Sequence, residues 1–323
     1  MSSHINQLRP GTGQNEIVTK ITSRVGSPNL LAELDSKLSM SEINTLLLEL
    51  YRRKTREMSP ADILRQYAQN RFAKPSDLDP VLSYRFSADL LEVAGKYGYT
   101  ALDLSPVAVL GSCSVVAAVD QNKILSALRG TEVLADATNV LALHIATLKG
   151  QQSIKKKERL RYCAVHRHIR AQKFQGKNQL PHFLLYSMVI SGADEGNLKF
   201  QKETLGETIN FYHEYLCSQS YLKNPRFIIW PRGGEKGNFT EEILEYIREH
   251  CSWDISEEKA PSENDYYRGL QFKIKARYKD TEYEIGDGGF VDWTGKLLQN
   301  EKERMLVSGI GLERLIKMSG DLF

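Results

Sequence analysis

The chain is poor in cysteine, with four in 323 residues at positions 113, 163, 217 and 251 and no Cys-x-x-Cys pair. Single, scattered thiols give neither zinc-ligand spacing nor the framework of a disulfide-stapled secreted domain. Long apolar runs are missing as well. None approaches the roughly 18 residues that a membrane helix needs. The stretch holding His4, Asn6, Gln7 and Arg9 lacks the apolar core of a signal peptide. A cytoplasmic protein with reduced thiols is expected. An excess of charge of one sign is also missing: the formal net charge of +3 is too small to imply an extended nucleic-acid surface and leaves room for a local basic patch. No internal repeat, no low-complexity tract and no Ser-His-Asp arrangement supported by spacing is present. His166, His168 and His182 have no suitably spaced Cys or carboxylate to complete a ligand set, so no metal is expected from protein side chains alone.

What is present is an ordinary globular composition, 41% hydrophobic and 26% charged, enough for one large core or two smaller ones. Residues 1–28 are polar without sustained periodicity and read as a mobile arm. Helical signals follow: Ser39 with Glu42 forms a capping box ahead of Ile43, Leu46, Leu47 and Leu50, and Ser59-Pro60 with Asp62 opens another helix through Ile63, Leu64 and Tyr67. Breakers at Lys74-Pro75 and Asp79-Pro80 place a boundary near 80, which makes 29–80 a helical appendage to a core of 81–323.

Within that core, an amphipathic helix from Ser83 carries Phe86, Leu90, Val93 and Tyr97, stops at Gly98, and gives way to a strand over 99–104 that closes at Pro106. Strands at 160–167 and 183–190, joined by a basic loop around 172–179, predict an antiparallel hairpin, with the run Lys155-Lys156-Lys157 as a solvated turn before it. Leu205, Ile209 and Leu216 line a helix, 227–230 is a short buried strand, and Asn238 with Glu241 caps the next helix. Leu270, Phe272, Ile274 and Ala276 alternate with Gln271, Lys273, Lys275 and Arg277, and a Lys279-Asp280 turn returns the chain through Tyr283 and Ile285. The order of elements predicts an α+β fold.

The segment Gly309-Ile310-Gly311-Leu312-Glu313-Arg314-Leu315 pairs two glycines with an arginine at the start of a helix. A rigid, always charged guanidinium suits phosphate. Together with 83–106, with His166-Arg167-His168-Ile169-Arg170-Ala171-Gln172 and with Tyr266-Tyr267-Arg268-Gly269-Leu270-Gln271-Phe272, this segment resembles the signature motifs of class II aminoacyl-tRNA synthetases. The histidyl-like branch, whose second motif commonly runs Phe-Arg-His-Glu-Arg-Pro-Gln, is the most similar. Its Arg-Pro-Glu-Gly-Thr loop is faintly echoed at 134–138. The resemblance covers about 83–320 and implies a class II synthetase-like antiparallel sheet flanked by helices.

It also implies roles. Arg167 and Arg314 would hold the two ends of the ATP triphosphate as catalytic cations, with Arg170, His182, Gly309 and Gly311 completing a nucleotide site and Mg2+ accompanying ATP. Asp136, Thr138, Tyr266, Tyr267 and Gly288 would bind an amino acid or related small carboxylate. For each, a plainer reading stands beside it: surface charges for the arginines, loop capping for Asp136, a core pair for the tyrosines, tight packing for the glycines. The motif 1 element implies a homodimer through 83–106, and the leucine face of 29–80 is a candidate surface for a partner protein.

Three departures bear on activity. Ile169 stands where the family has a nucleotide-contacting glutamate. Ser262 stands where histidyl enzymes have an arginine. Only Ser319–Phe323 follow the third motif, where the synthetase has an anticodon-binding domain. The expected function is therefore ATP-dependent activation of a carboxylate as an adenylate for a non-standard acceptor, and ordinary tRNA charging is not expected. The alternative is a non-catalytic paralogue acting as a regulatory or amino-acid-sensing subunit.

Overall fold

The alternation at 270–277 builds the middle of a large sheet in a computed structural model of the chain. The structure describes residues 12–151, 158–172, 181–235, 237–251, 253–262 and 266–320, so the expected basic loop and Lys155-Lys156-Lys157 lie outside the described residues. In chain order the helices are α1 (Thr12–Arg24), α2 (Leu30–Lys37), α3 (Met40–Arg56), α4 (Pro60–Gln69) and α5 (Pro80–Lys96). Strands β1 (Thr100–Ala101), β2 (Val107–Val109), β3 (Ser126–Ala127) and β4 (Thr131–Val133) lead to α6 (Ala137–Gly150) and the hairpin β5 (Leu160–Ile169) and β6 (His182–Ala193). Then come α7 (Lys199–Ser218), β7 (Leu222–Pro231), α8 (Phe239–His250), β8 (Ile255–Glu257), β9 (Arg268–Tyr278), β10 (Thr281–Val291), α9 (Trp293–Leu298), β11 (Glu303–Ile310) and α10 (Leu312–Gly320).

By contacts the chain divides into two bodies, residues 1–64 with 128–130, and the remainder. In the first, the segment expected to be a mobile arm contains α1. Ile17, Ile21 and Val25 recur at helical spacing, a three-residue stripe easily lost among polar neighbours. The predicted capping box of α3 is present: the Ser39 N–H donates to Glu42 at 2.8 Å and the Glu42 N–H donates to the Ser39 hydroxyl at 3.3 Å. Ser59 and Asp62 reproduce it at α4, at 2.9 and 3.2 Å. No residue of α2, α3 or α4 is buried, and α2 has no side-chain cap bond.

Residues 65–80, expected with the appendage, group with the second body. The His182 ring donates to the Lys74 carbonyl at 2.6 Å, Asp77 pairs with Lys317 at 2.8 Å, and Arg71 donates to the carbonyls of Ala171 and Gln172. Side-chain contacts made a hundred residues away leave no local sequence mark.

The second body carries an eight-stranded sheet in the order β1-β5-β6-β11-β10-β9-β7-β8 and a small sheet β2-β4-β3. The interior pairs of the large sheet are antiparallel, and β1 and β8 are added parallel at its edges. The strand expected over 99–104 reduces to the two residues of β1. Asn238 begins α8 as expected, without a side-chain cap bond. One sheet face is packed by α5, α7, α8 and α10 through fully buried Leu90, Phe200, Phe211, Tyr212, Ile243 and Leu315 among others. The opposite face meets α6 and α9 over only part of its area, through Leu141, Ile145 and Trp293 against Ala164, Val189 and Val307. The rest of that face is the floor of a cleft.

Candidate functional site

Gln271 and Lys273, the polar half of the β9 alternation, do not face solvent. Gln271 is 3% exposed and the Lys273 side chain 12%. They form the floor of a cleft of about 1360 Å³, a size that holds a nucleotide or a large metabolite. A register shift on β10 between Glu284 and Gly286 brings Asp287 opposite Lys273 and onto the same face. Asp287 accepts from the Gln271 amide at 3.1 Å and from Lys273 at 3.0 Å, and Lys273 also donates to Glu284 at 2.8 Å. Burial alone would lower the Lys273 pKa, but Asp287 and Glu284 outweigh it and leave the ammonium above its ordinary value.

One end of the cleft is set by α6. Asp136 is its N-cap, accepting from the Thr138 N–H at 3.0 Å and the Thr138 hydroxyl at 2.6 Å, while its second oxygen accepts from Tyr266 at 2.8 Å. Both proposed roles of Asp136, cap and cleft carboxylate, are thus compatible with its place. Tyr266 and Tyr267 line the same end with ring centroids 4.7 Å apart. Burial, with Asp136 and Asp287 adding to it, holds both phenols well above their ordinary range, so they stay protonated donors. Cys113 lies nearby, its thiol pushed up to about 12 by burial and then by Asp136, which excludes a thiolate nucleophile near neutral pH.

The other end is formed by α10 and β10. Arg314 lines the cleft and donates to the Glu284 carbonyl. Gly309, Gly311 and Gly286 also line it, and Gly288 does not. A Cβ on Gly288 would lie 2.4 Å from Phe272 and 2.5 Å from Ser308, so this glycine answers to sheet packing and the substrate-binding role expected of it is not supported by its position.

The two expected triphosphate arginines are not disposed alike. Arg167 is not among the cleft-lining residues: it donates to Glu313 at 3.1 Å and approaches the His182 ring at 3.2 Å. Glu313, 8% exposed in the first turn of α10, also accepts from Lys317 at 3.1 Å and from the Leu184 N–H at 3.2 Å. Arg170 and His182 do line the cleft. Arg170 donates to the Ala135 carbonyl at 3.3 Å and lies 5.3 Å over the Phe183 ring. Ile169 is spent in the sheet, with its N–H donating to the Leu134 carbonyl at 3.0 Å.

Sequence reasoning missed Trp230 and Arg232 at the end of β7. Both line the cleft, and Arg232 donates to Gln271 and to the Ser262 carbonyl. The available signal was a cation directly after a buried strand and before Gly233-Gly234. In all, six lysine and arginine side chains line the cleft against four carboxylates, an environment that favours anions.

His168, beside this site, is fully buried; its Nε2 accepts from the Ala137 N–H at 3.3 Å, and burial pushes its pKa down to about 3 from 6.5. A depressed histidine pKa stabilises the fold at neutral pH and loses that contribution as pH falls below the unfolded value. Stability should therefore decline from about pH 6.5 towards pH 3 with an extra slope approaching roughly 1.4 kcal/mol per pH unit. Urea titrations at stepped pH should show this slope flattened in His168→Gln. An unchanged slope would assign acid sensitivity to other groups.

No protein-family model matches the chain, and no curated protein matches it in sequence. Solved structures do match. A Bacillus halodurans protein described as an ATP phosphoribosyltransferase regulatory subunit/histidyl-tRNA synthetase aligns with a TM-score of 0.56 at 12% identity, covering 76% of this chain and 83% of that one. Apo histidyl-tRNA synthetase of S. aureus gives 0.56 at 13% identity over 76% and 69%. A histidine–tRNA ligase subunit of Alicyclobacillus acidocaldarius gives 0.55 at 9% over 77% and 96%. At such identity the likeness is one of fold: the chain has the class II synthetase catalytic-core fold expected from its motifs. Among the described residues no helix is long and apolar enough to cross a membrane.

Proposed function

We propose that the cleft binds ATP and an amino acid or related small carboxylate, and that the chain joins them as an adenylate for transfer to an acceptor other than ordinary tRNA. One observation carries this reading. Arg170, Arg232 and Arg314 line the cleft with no carboxylate partner among the described residues, and Asp136 lines it with no cation. A zwitterion and a polyanion together satisfy that pattern. In the reaction a carboxylate oxygen attacks the α-phosphorus, the bond to pyrophosphate breaks, and charge grows on the phosphoryl oxygens, where fixed guanidinium groups are worth most. Glu284, Asp287 and Glu313 are engaged by Lys273, Lys317 and Arg167. Magnesium would therefore arrive with the nucleotide and neutralise part of its charge.

Purified protein is expected to exchange labelled pyrophosphate into ATP with one member of an amino-acid panel. ATP with magnesium at about 100 times its dissociation constant should add roughly 2.7 kcal/mol of stability. Absence of both exchange and thermal shift would end the reading.

A second reading, a non-catalytic amino-acid-binding regulator, is favoured by Arg167 being tied to Glu313 and His182 and by Ile169 in the sheet. The words "regulatory subunit" in the description of the B. halodurans structure agree with it. An amino-acid shift without exchange is its signature. Both readings retain a homodimer through 83–106, where Tyr84 is 78% exposed, and a partner protein on the leucines of 29–80; sedimentation velocity measures the first.

A further inference from the structure

Arg232 sits just beyond β7, its backbone fixed by an N–H bond to the Gly269 carbonyl at 2.8 Å. Its Nε donates to Gln271 Oε1 at 3.0 Å, Nη2 donates to the same oxygen, and Nη1 donates to the Ser262 carbonyl. The guanidinium lies 5.6 Å over the Trp230 ring, which Lys273 also approaches at 5.2 Å. Every partner is neutral, and no ion pair involves Arg232 among the described residues. Gln271 is in turn held by Asp287 at 3.1 Å, so the fork is fixed from behind.

A guanidinium has five N–H donors. Three are used, and one remains on each terminal nitrogen. That pair suits the two oxygens of a carboxylate. Position decides between carboxylate and nucleotide phosphate. Gln271 pairs with Gly289 on β10, while the Arg314 contact is at Glu284. Five strand residues separate the two levels, on the order of 15 Å. The Arg232 end is instead the end of Tyr266 and Tyr267, next to the start of β9, where Tyr266 donates to Asp136.

We propose that Arg232 holds the carboxylate of an amino-acid ligand whose ammonium is taken by Asp136, so that the cleft reads an amino acid at both its charged ends. This rests on the reading of the cleft as an amino-acid and ATP site. It adds a positioning residue for the carboxylate that is to be activated.

The test uses the full chain and the fluorescence of Trp230, with Trp230→Phe identifying its share of the signal. The free L-amino acids are screened, and the best binder is compared with its methyl ester, which keeps the amine and removes the carboxylate charge. Arg232→Gln is expected to weaken the free acid by about 30-fold or more and to leave the ester, already weak, within about twofold. The thermal shift with ATP should remain in this variant. Arg232→Lys, keeping charge without the fork, should fall between. Equal binding of acid and ester to the native chain, or an unchanged free acid in Arg232→Gln, overturns the assignment. So does loss of the ATP shift with amino-acid binding retained, which would make Arg232 a phosphate ligand. Failure of every amino acid to bind the native chain removes the amino-acid form of the parent reading and this proposal with it, a result distinct from failure in the variant alone. An unfolded Arg232→Gln, seen by circular dichroism, leaves the acid–ester comparison and Arg232→Lys to decide.

Discussion

Arg314→Ala should cut pyrophosphate exchange by about 10²- to 10³-fold while leaving the melting curve nearly unchanged. The first half follows from its place: a guanidinium lining the cleft, bonded only to the Glu284 carbonyl and free of any carboxylate partner among the described residues. Removing one preorganised donor from a charge-developing transition state typically costs about that factor. The second half follows from exposure. Arg314 is an exposed residue of α10, flanked by buried Glu313 and Leu315, and truncation of such a side chain usually shifts stability by no more than about 0.5 kcal/mol. Initial exchange rates at saturating ATP, paired with calorimetry, check both halves. Retained exchange would show that the triphosphate lies elsewhere; joint loss of exchange and fold would make Arg314 a structural residue.

Gly288→Val is expected to abolish folding. The new Cβ alone would lie 2.4 Å from the Phe272 ring, 2.5 Å from the Ser308 Cβ and 2.7 Å from the Val307 carbonyl. Two of those atoms belong to β11, which pairs with β10 at this level, and the third is a fully buried ring. None is the free end of a flexible side chain, so the sheet itself must open. Ordinary overpacking costs about 1–3 kcal/mol with local adjustment available. Without it, the loss should approach the whole stability of a domain, about 5–15 kcal/mol. Soluble yield and the presence of a cooperative thermal transition read the outcome. Gly311→Ala is the control: its Cβ would meet its nearest neighbours at 3.6 Å, and it should fold normally. A Gly288→Val protein melting like the native chain would refute the packing account.

The contrast between these two glycines shows what the sequence could and could not convey. Local rules worked where local chemistry decides. Ser39 with Glu42 and Ser59 with Asp62 form their capping boxes, and the β9 alternation puts Leu270, Phe272, Ile274 and Ala276 inside. The motif order likewise gave the fold. The same alternation misled on its polar half, because a period-two pattern says that Gln271 and Lys273 share a face and cannot say that the face is covered. The register shift on β10 reverses that pattern again ahead of Asp287. Arg167 is the sharpest case. Its motif position implied a ligand cation, and only the tertiary arrangement shows Glu313 and His182 engaging it. Arg232 was invisible for the opposite reason: the residues that fix it lie 30 and 39 positions away.

Glu313 gives that pairing a useful property. Its second oxygen holds Lys317, and the oxygen that meets Arg167 also receives the Leu184 N–H. Should an incoming anion draw Arg167 away, the carboxylate keeps two donors and is never stranded as a lone buried charge. Loss of the Arg167 contact would therefore leave Glu313, and with it the first turn of α10, still tied to β6 through the Leu184 N–H.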